Sequence, residues 1–331
     1  MTTPMIRTLR HSSYAAALSA LAVLAVCSAA PAQQFPTKTV TLVGGYPAGA
    51  ASDTLARAIS DQLQQQWGQP VVVDNRPGSS GNLAATQVAR SAPDGHTILV
   101  ATDAMLTSNT FLFKSIAFDP AKDFAPVLNA AKNILVLAVH PSQPIKTVAE
   151  YIAEAKKNPG KMAFGSSGVG SPHQLAGELL AQKAGIKLQH VPYKGGGQTI
   201  NDLAGGHIPS AFLSLSAARP LHEAGKIRII AVAEPKRFSE LPDIPTLAET
   251  VPGVEMGSFV ALVVPAGTPQ PVIDKIADAS AKILKDPAVS KRLAGAGLVV
   301  TADPPAALAK TIAEGIKVRG DLIKAAGIQP E

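Results

Sequence analysis

The chain has 331 residues, 46% of them apolar, 16% charged and 4% aromatic, with a formal charge of +6. That length and apolar content can bury a sizeable core as one or two domains, and they exclude a chain too polar to fold. Lys and Arg are scattered and no basic run is interleaved with aromatic residues, which argues against a nucleic-acid partner.

Residues 1–32 have the order of a secretory signal peptide. Arg7 and Arg10 precede the apolar run Tyr14 to Val26, and Ala30-Pro31-Ala32 supplies small residues for cleavage. The run is too short for a comfortable membrane span, and no later stretch offers about eighteen consecutive apolar residues. Cleavage leaves 28 basic against 24 acidic residues and removes Cys27, the single cysteine, so neither a disulfide nor thiol chemistry is expected. Leu24-Ala25-Val26-Cys27 superficially matches a lipoprotein processing site, but Val26 is bulky for that position, and lipid anchoring at Cys27 ranks below simple secretion.

In the mature chain, Thr39 to Val43 alternates as a strand and Gly44 to Ala51 follows as a loop. A helix then begins near Ser52, with Leu55, Ile59, Leu63 and Trp67 on one stripe and Asp53 four residues before Arg57 on another face. Gly44 and Gly49 have the spacing of the first part of a phosphate-binding loop. Ala50 and Ala51 stand where Lys and Ser/Thr would be needed. Val71 to Val73 is a strand that turns through Asp74-Asn75-Arg76-Pro77-Gly78 into a helix with Leu83 and Val88, and Arg76 is read as a partner of a nearby acid such as Asp74. Pro93-Asp94-Gly95 is a turn, Thr97 to Ala101 a buried strand, and Thr102-Asp103-Ala104 its ligand-facing end, where Asp103 is read as a helix cap.

An apolar segment runs from Asn133 to His140, then a helix over Thr147 to Lys157 and a strand over Lys161 to Phe164. The stretch Gly165 to Gln174 follows as strand, small-residue loop and helix start. Ser171, Pro172 and Gln174 give a capping-box terminus with proline at the first helical position, and Leu175, Leu179 and Leu180 supply its buried face. Unpaired amides at such a turn favour an anion, so this stretch is read as an anion cradle. Strands over Gln189 to Val191, Ser210 to Leu215 and Ile227 to Ala233 alternate with helices, implying a second mostly parallel sheet. Phe259 to Val264 returns as an apolar strand, and two helices are expected to close the chain on the first domain. The expected fold is α/β, with two domains and a ligand cleft between their strand ends.

Seven motifs in order then carry a resemblance. They are Tyr46-Pro47-Ala48-Gly49 with Asp53, Asp74-Asn75-Arg76-Pro77-Gly78, Pro93-Asp94-Gly95, Gly165-Ser166-Ser167-Gly168 with His173, Val191-Pro192-Tyr193-Lys194-Gly195-Gly196, Leu241-Pro242-Asp243-Ile244-Pro245-Thr246 and Pro265-Ala266-Gly267-Thr268-Pro269. Over almost the whole mature chain the sequence resembles Bug-type receptors, the substrate-binding proteins of tripartite tricarboxylate transporters.

The resemblance implies a periplasmic, type II-like binding protein that carries out no catalysis. Domain 1 would be residues 33–134 with 258–331 and domain 2 residues 135–257, each a mostly parallel sheet flanked by helices and joined by two crossing strands. It also implies a monomer that closes on a small organic carboxylate or amino acid and hands it to a membrane permease with one large and one small subunit. No cofactor or metal is implied. The ligand-binding residues implied are Tyr46, Pro47, Ala48, Gly49, Ala50, Ser52, Asp53, Thr102, Ser166, Ser167, Gly168, Gly170, Ser171, His173, Tyr193, Lys194, Gly195 and Gly196. Ala50 takes a place usually held by a second glycine, Phe259-Val260-Ala261 stands where Trp-x-Gly is usual, and Asp103 puts a negative charge near the cleft.

Two other readings compete. A receptor that senses a ligand for a signalling partner would look the same in sequence. A secreted hydrolase has little support, because His173 lies beside Ser171 but inside a capping motif. The histidines His96, His140, His173, His190, His207 and His222 show no paired metal-ligand spacing.

Overall fold

The computed structural model describes residues 35–330; the secretory segment expected at residues 1–32, with Cys27, lies outside the described residues. The chain divides into Met1–Thr37 and Lys38–Glu331, and every described strand and helix belongs to the second unit.

That unit opens with β1 (Val40–Gly44), α1 (Ala51–Trp67), β2 (Val71–Asn75), α2 (Asn82–Ala89) and β3 (Thr97–Thr102). A π turn, Ala104–Ser108, leads into α3 (Asn109–Leu112), and then come β4 (Phe124–Asn133) and β5 (Leu135–Val139). Next are α4 (Val148–Lys157), β6 (Ala163–Ser166), α5 (Pro172–Ala184), β7 (Gln189–Pro192), α6 (Gly196–Ala204), β8 (Ser210–Ser214), α7 (Leu215–Glu223) and β9 (Arg228–Val232). The chain ends with β10 (Ser258–Pro265), α8 (Gln270–Leu284), α9 (Pro287–Gly295), β11 (Leu298–Asp303) and α10 (Pro305–Ala325).

These strands form two sheets, in the orders β11-β4-β10-β3-β1-β2 and β7-β6-β8-β5-β9. The α/β class is as expected, but neither sheet is mostly parallel. β1 runs parallel to β2 and β3, and β6 parallel to β7 and β8. β10 is antiparallel to β3 and β4, β11 to β4, and β5 to β8 and β9. The physical reason is connectivity: β5 and β10 enter their sheets from the other sheet, so no helical crossover forces them parallel.

β5 shows how the second sheet is buried on both faces. Leu135, Leu137 and Val139 pack with Tyr151, Phe164 and Leu175, whereas Val136 and Ala138 pack with Ile200, Leu203 and Leu213. Such a strand reads in sequence as one continuous apolar run, which is why Asn133 to His140 was recognisable. The capping box on α4 is complete, with Glu150 N–H donating to Thr147 Oγ1 and Glu150 Oε2 accepting from the Thr147 amide.

Two further expectations are corrected. Three helices and a strand close the chain, because Leu298–Asp303 adds β11 to the first sheet beside β4. The closing helix α10 also does not stay with the first sheet. Leu308 and Ile312 near its start join the core that contains Val43 and Leu99, but Leu322 and Ile323 near its end join the core around Tyr151 and Leu175. Besides the crossings at Asn133 to Leu135 and Met256 to Ser258, a helix therefore ties the two sheets together.

Candidate ligand-binding site

The strand ends of both sheets surround a cavity of about 460 Å³. Its first wall is the loop after β1. Asp53, in the first turn of α1 and nearly fully buried, accepts from the Gly49 amide (2.9 Å), from Arg57 Nε (2.9 Å) and from Asn75 Nδ2 (2.6 Å). Burial opposes the charged carboxylate, but these donors outweigh it and hold Asp53 below its ordinary range. Gly45 supplies the close approach on the other side of this loop: a Cβ there would lie 2.7 Å from Gly81 Cα. Tyr46 Oη donates to the Ser80 carbonyl (3.3 Å), and burial raises its phenol to about 12, so it stays neutral. α1 itself begins after Ala50 without any side-chain cap.

The opposite wall corrects the anion-cradle reading of Gly165 to Gln174. Several of its amides are consumed internally: Gly168 N–H donates to Ser166 Oγ (3.2 Å), Gly170 N–H to Gln174 Oε1 (2.6 Å), and Gln174 N–H to Ser171 Oγ (3.3 Å). Ser171 is thus a true N-cap of α5, and this helix end is less open to an anion than an uncapped one. The open terminus lies one unit later, where α6 starts after Gly195 with no side-chain cap and Gly195, Gly196, Gly197 and Gln198 line the cavity. A third, α7, starts uncapped after Ser214, with Ser216 and Ala217 on the lining.

Between the walls runs a chain of polar contacts. Ser167 Oγ lies 2.6 Å from His173 Nδ1, His173 Nε2 lies 3.2 Å from Ser214 Oγ, and Asn133 Nδ2 donates to Ser214 Oγ (3.2 Å) and Ser258 Oγ (3.5 Å). Ser258 donates to Asp103 Oδ1 (2.9 Å), and Asp103 Oδ2 meets Arg319 of α10. Asp103 is therefore not the helix cap expected for it; its side chain makes no cap bond. Burial pushes its carboxyl up, against the pull of Arg319 and Ser258. Burial also drives His173 down to about 4, leaving the ring neutral near pH 7.

Of the residues predicted from sequence, Tyr46, Pro47, Ala48, Gly49, Ala50, Ser52, Thr102, Ser167, His173, Lys194, Gly195 and Gly196 line the cavity. Six do not. Asp53 holds the first loop, and Ser166, Gly168, Gly170 and Ser171 bond within their own loop. Tyr193 donates to Asp202 Oδ2 (2.7 Å). Sequence reasoning missed Asn133, Ser214, Ser216 and Ser258 as lining residues. The end of an apolar run, as at Ser214, was the signal available for them.

The cavity is thus mostly apolar, faced by three uncapped helix N-termini, with Lys194 as its cationic side chain and its acid, Asp103, paired with Arg319. Such a surface favours an anion held by amides and hydroxyls. Among the described residues there is no cluster of His, Cys, Asp and Glu fit to hold a metal, and no helix long and apolar enough to cross a membrane.

Two sheets with one anion-favouring cavity at their shared strand ends define a binding protein of the periplasmic type, and comparison with known proteins agrees. Residues 55–328 match TctC, the tripartite tricarboxylate transporter family receptor, and the chain belongs to that family. A relative from Cupriavidus necator, named as a UPF0065 protein in the gbd 5' region, is 38% identical over 284 residues, covering 86% of each chain. The structure of R. palustris Rpa4515 with adipate superposes with a TM-score of 0.86 at 35% identity, over 90% of this chain and 100% of that one. MatC from Rhodopseudomonas palustris with bound malate gives a TM-score of 0.80 at 30% identity, over 87% and 100%. The chain is thus a solute-binding receptor of Bug type and not an enzyme.

Proposed function

We propose that this receptor captures a small carboxylate in the cavity between its two sheets and delivers it to a tripartite tricarboxylate transporter permease. The observation that carries the proposal is the convergence of three uncapped helix N-termini, α1 from one sheet and α6 and α7 from the other, on one cavity. Each helix end is worth about 0.3–1 kcal/mol to an exposed anion and up to about 2 when partly buried, so useful affinity needs both walls at once. Residues 33–134 with 258–331 and residues 135–257 are then the two bodies that close on the ligand, with the end of α10 packed on the core of the second. Adipate and malate in the related structures support a dicarboxylate.

The same reading assigns residues 1–32 to a cleaved signal peptide, with the mature protein monomeric in the periplasm and its permease built from one large and one small subunit. Mass spectrometry of the periplasmic fraction should find an N-terminus at Gln33 and no acylated Cys27. The ligand test is thermal stability of the mature, ligand-stripped protein against mono-, di- and tricarboxylates, acidic amino acids and neutral amides. A concentration-dependent rise with one carboxylate class supports the reading. A rise with neutral compounds alone removes it.

A further inference from the structure

The contact lengths around His173 decide which serine can donate to a ligand. A neutral imidazole carries one N–H and one lone pair, so of its two serine partners one must donate to the ring and the other must accept from it. Hydroxyl donors make shorter bonds than N–H donors. The 2.6 Å contact from Ser167 Oγ to Nδ1 fits an O–H donor, and the 3.2 Å contact from Nε2 to Ser214 Oγ fits an N–H donor. These lengths favour the tautomer protonated at Nε2.

Ser214 then accepts twice, from His173 Nε2 and from Asn133 Nδ2. Both its lone pairs are occupied, and its remaining capacity is its own O–H. Asn133 Oδ1, which is buried, makes no hydrogen bond and does not take that proton. Ser214 lines the cavity at the uncapped start of α7. Ser167 lines it too, but has spent its proton on Nδ1 and presents lone pairs only.

We propose that Ser214 is the hydroxyl donor to the ligand carboxylate on the second wall, that His173 is the positioning residue which frees its proton, and that Ser167 is an acceptor. The proposal rests on the carboxylate-receptor reading above. It makes the pair chemically unequal although both serines flank the same ring. A ligand oxyanion belongs at Ser214 and the start of α7, and a ligand hydroxyl or ammonium belongs at Ser167.

The test uses the mature protein with adipate and malate as probes. Nitrogen-15 NMR of labelled histidine should show His173 protonated at Nε2 alone, with and without ligand. By calorimetry, Ser214→Ala should weaken both diacids tenfold or more, Ser214→Thr should restore most of the loss, and Ser167→Ala should weaken malate, which carries a hydroxyl, more than adipate, which carries none. A ring protonated at Nδ1 overturns the proposal, as does a Ser214→Ala protein within twofold of the parent. Unchanged melting of unliganded Ser214→Ala separates a lost contact from a damaged fold. A parent protein that binds neither diacid nor any other carboxylate removes the receptor reading itself. A parent that binds both diacids, with equal losses of both in the Ser214→Ala and Ser167→Ala proteins, removes this inference alone.

Discussion

Arg319 lies 216 positions beyond Asp103, yet the two form one buried ion pair, and the same guanidinium donates to the Gly257 carbonyl at 2.7 Å. The pair joins the end of β3, the second crossing between the sheets and α10 at one point. It also answers the charge question raised by Asp103: the carboxylate at the cavity floor is compensated by an arginine invisible to local sequence patterns.

Removing Arg319 would leave a carboxylate buried beside the cavity without its counter-ion. Arg319→Met is expected to destabilise by roughly 3–5 kcal/mol, whereas Asp103→Leu with Arg319→Met should recover most of that loss. Urea unfolding of the two variants decides it. A single variant within about 1 kcal/mol of the parent would show that the pair does not anchor α10.

How much of this was legible follows from the range of each signal. The strand, loop and helix units at Tyr46, Gly165 and Tyr193 were readable because their periodicity and turn residues are local. β4 was missed because Pro126, Asn129 and Lys132 break its alternation, and its pairing with β10 shifts register twice. The anion cradle was assigned to Gly165–Gln174 on its glycines and serines, but Ser166, Ser171 and Gln174 turn back on their own backbone. The plainer Gly195-Gly196-Gly197, with no side chain able to cap, leaves its helix end open. Asn133, Ser214 and Ser258 converge only because two crossings bring distant segments together, and no spacing rule carries that.

His173 provides a pH test. Burial lowers its folded pKa from 6.5 to about 4, so the unfolded chain takes up the proton first as pH falls. Stability should therefore decline between pH 6.5 and 4 and level off below, with a slope of up to about 1.4 kcal/mol per pH unit for one proton. His190 is lowered in the same direction by burial, so the measurement is the difference between parent and His173→Gln unfolding curves, in which His190 cancels. A difference flat from pH 7 to 4 would mean that His173 is not held neutral by the fold.

Asp53 reaches three partners and lies off the cavity lining, so it acts on the ligand through the loop it holds. Asp53→Ala should cost about 1–3 kcal/mol of stability and weaken carboxylate binding by freeing the Gly49 amide and Asn75 from fixed positions. Its folded pKa is lowered, so its stabilisation is complete above the ordinary carboxylate range and is lost as pH falls through the folded value. Calorimetric titration beside urea unfolding at pH 7 checks both halves, and an Asp53→Ala protein of full affinity would detach this loop from binding.

Gly196 separates folding from binding most cleanly. A Cβ at this first residue of α6 would meet nothing within 4 Å, so the fold has room for alanine there. Alanine also restricts the unfolded chain, and Gly196→Ala should raise stability by about 0.4–1 kcal/mol. The added methyl group would nevertheless stand on the cavity lining, beside the amides that face the ligand. Stability and affinity should then move in opposite directions: a higher melting midpoint without ligand, and a smaller ligand-induced rise. An alanine variant with both a higher midpoint and undiminished binding would place the anion away from the start of α6 and leave α1 and α7 to hold it.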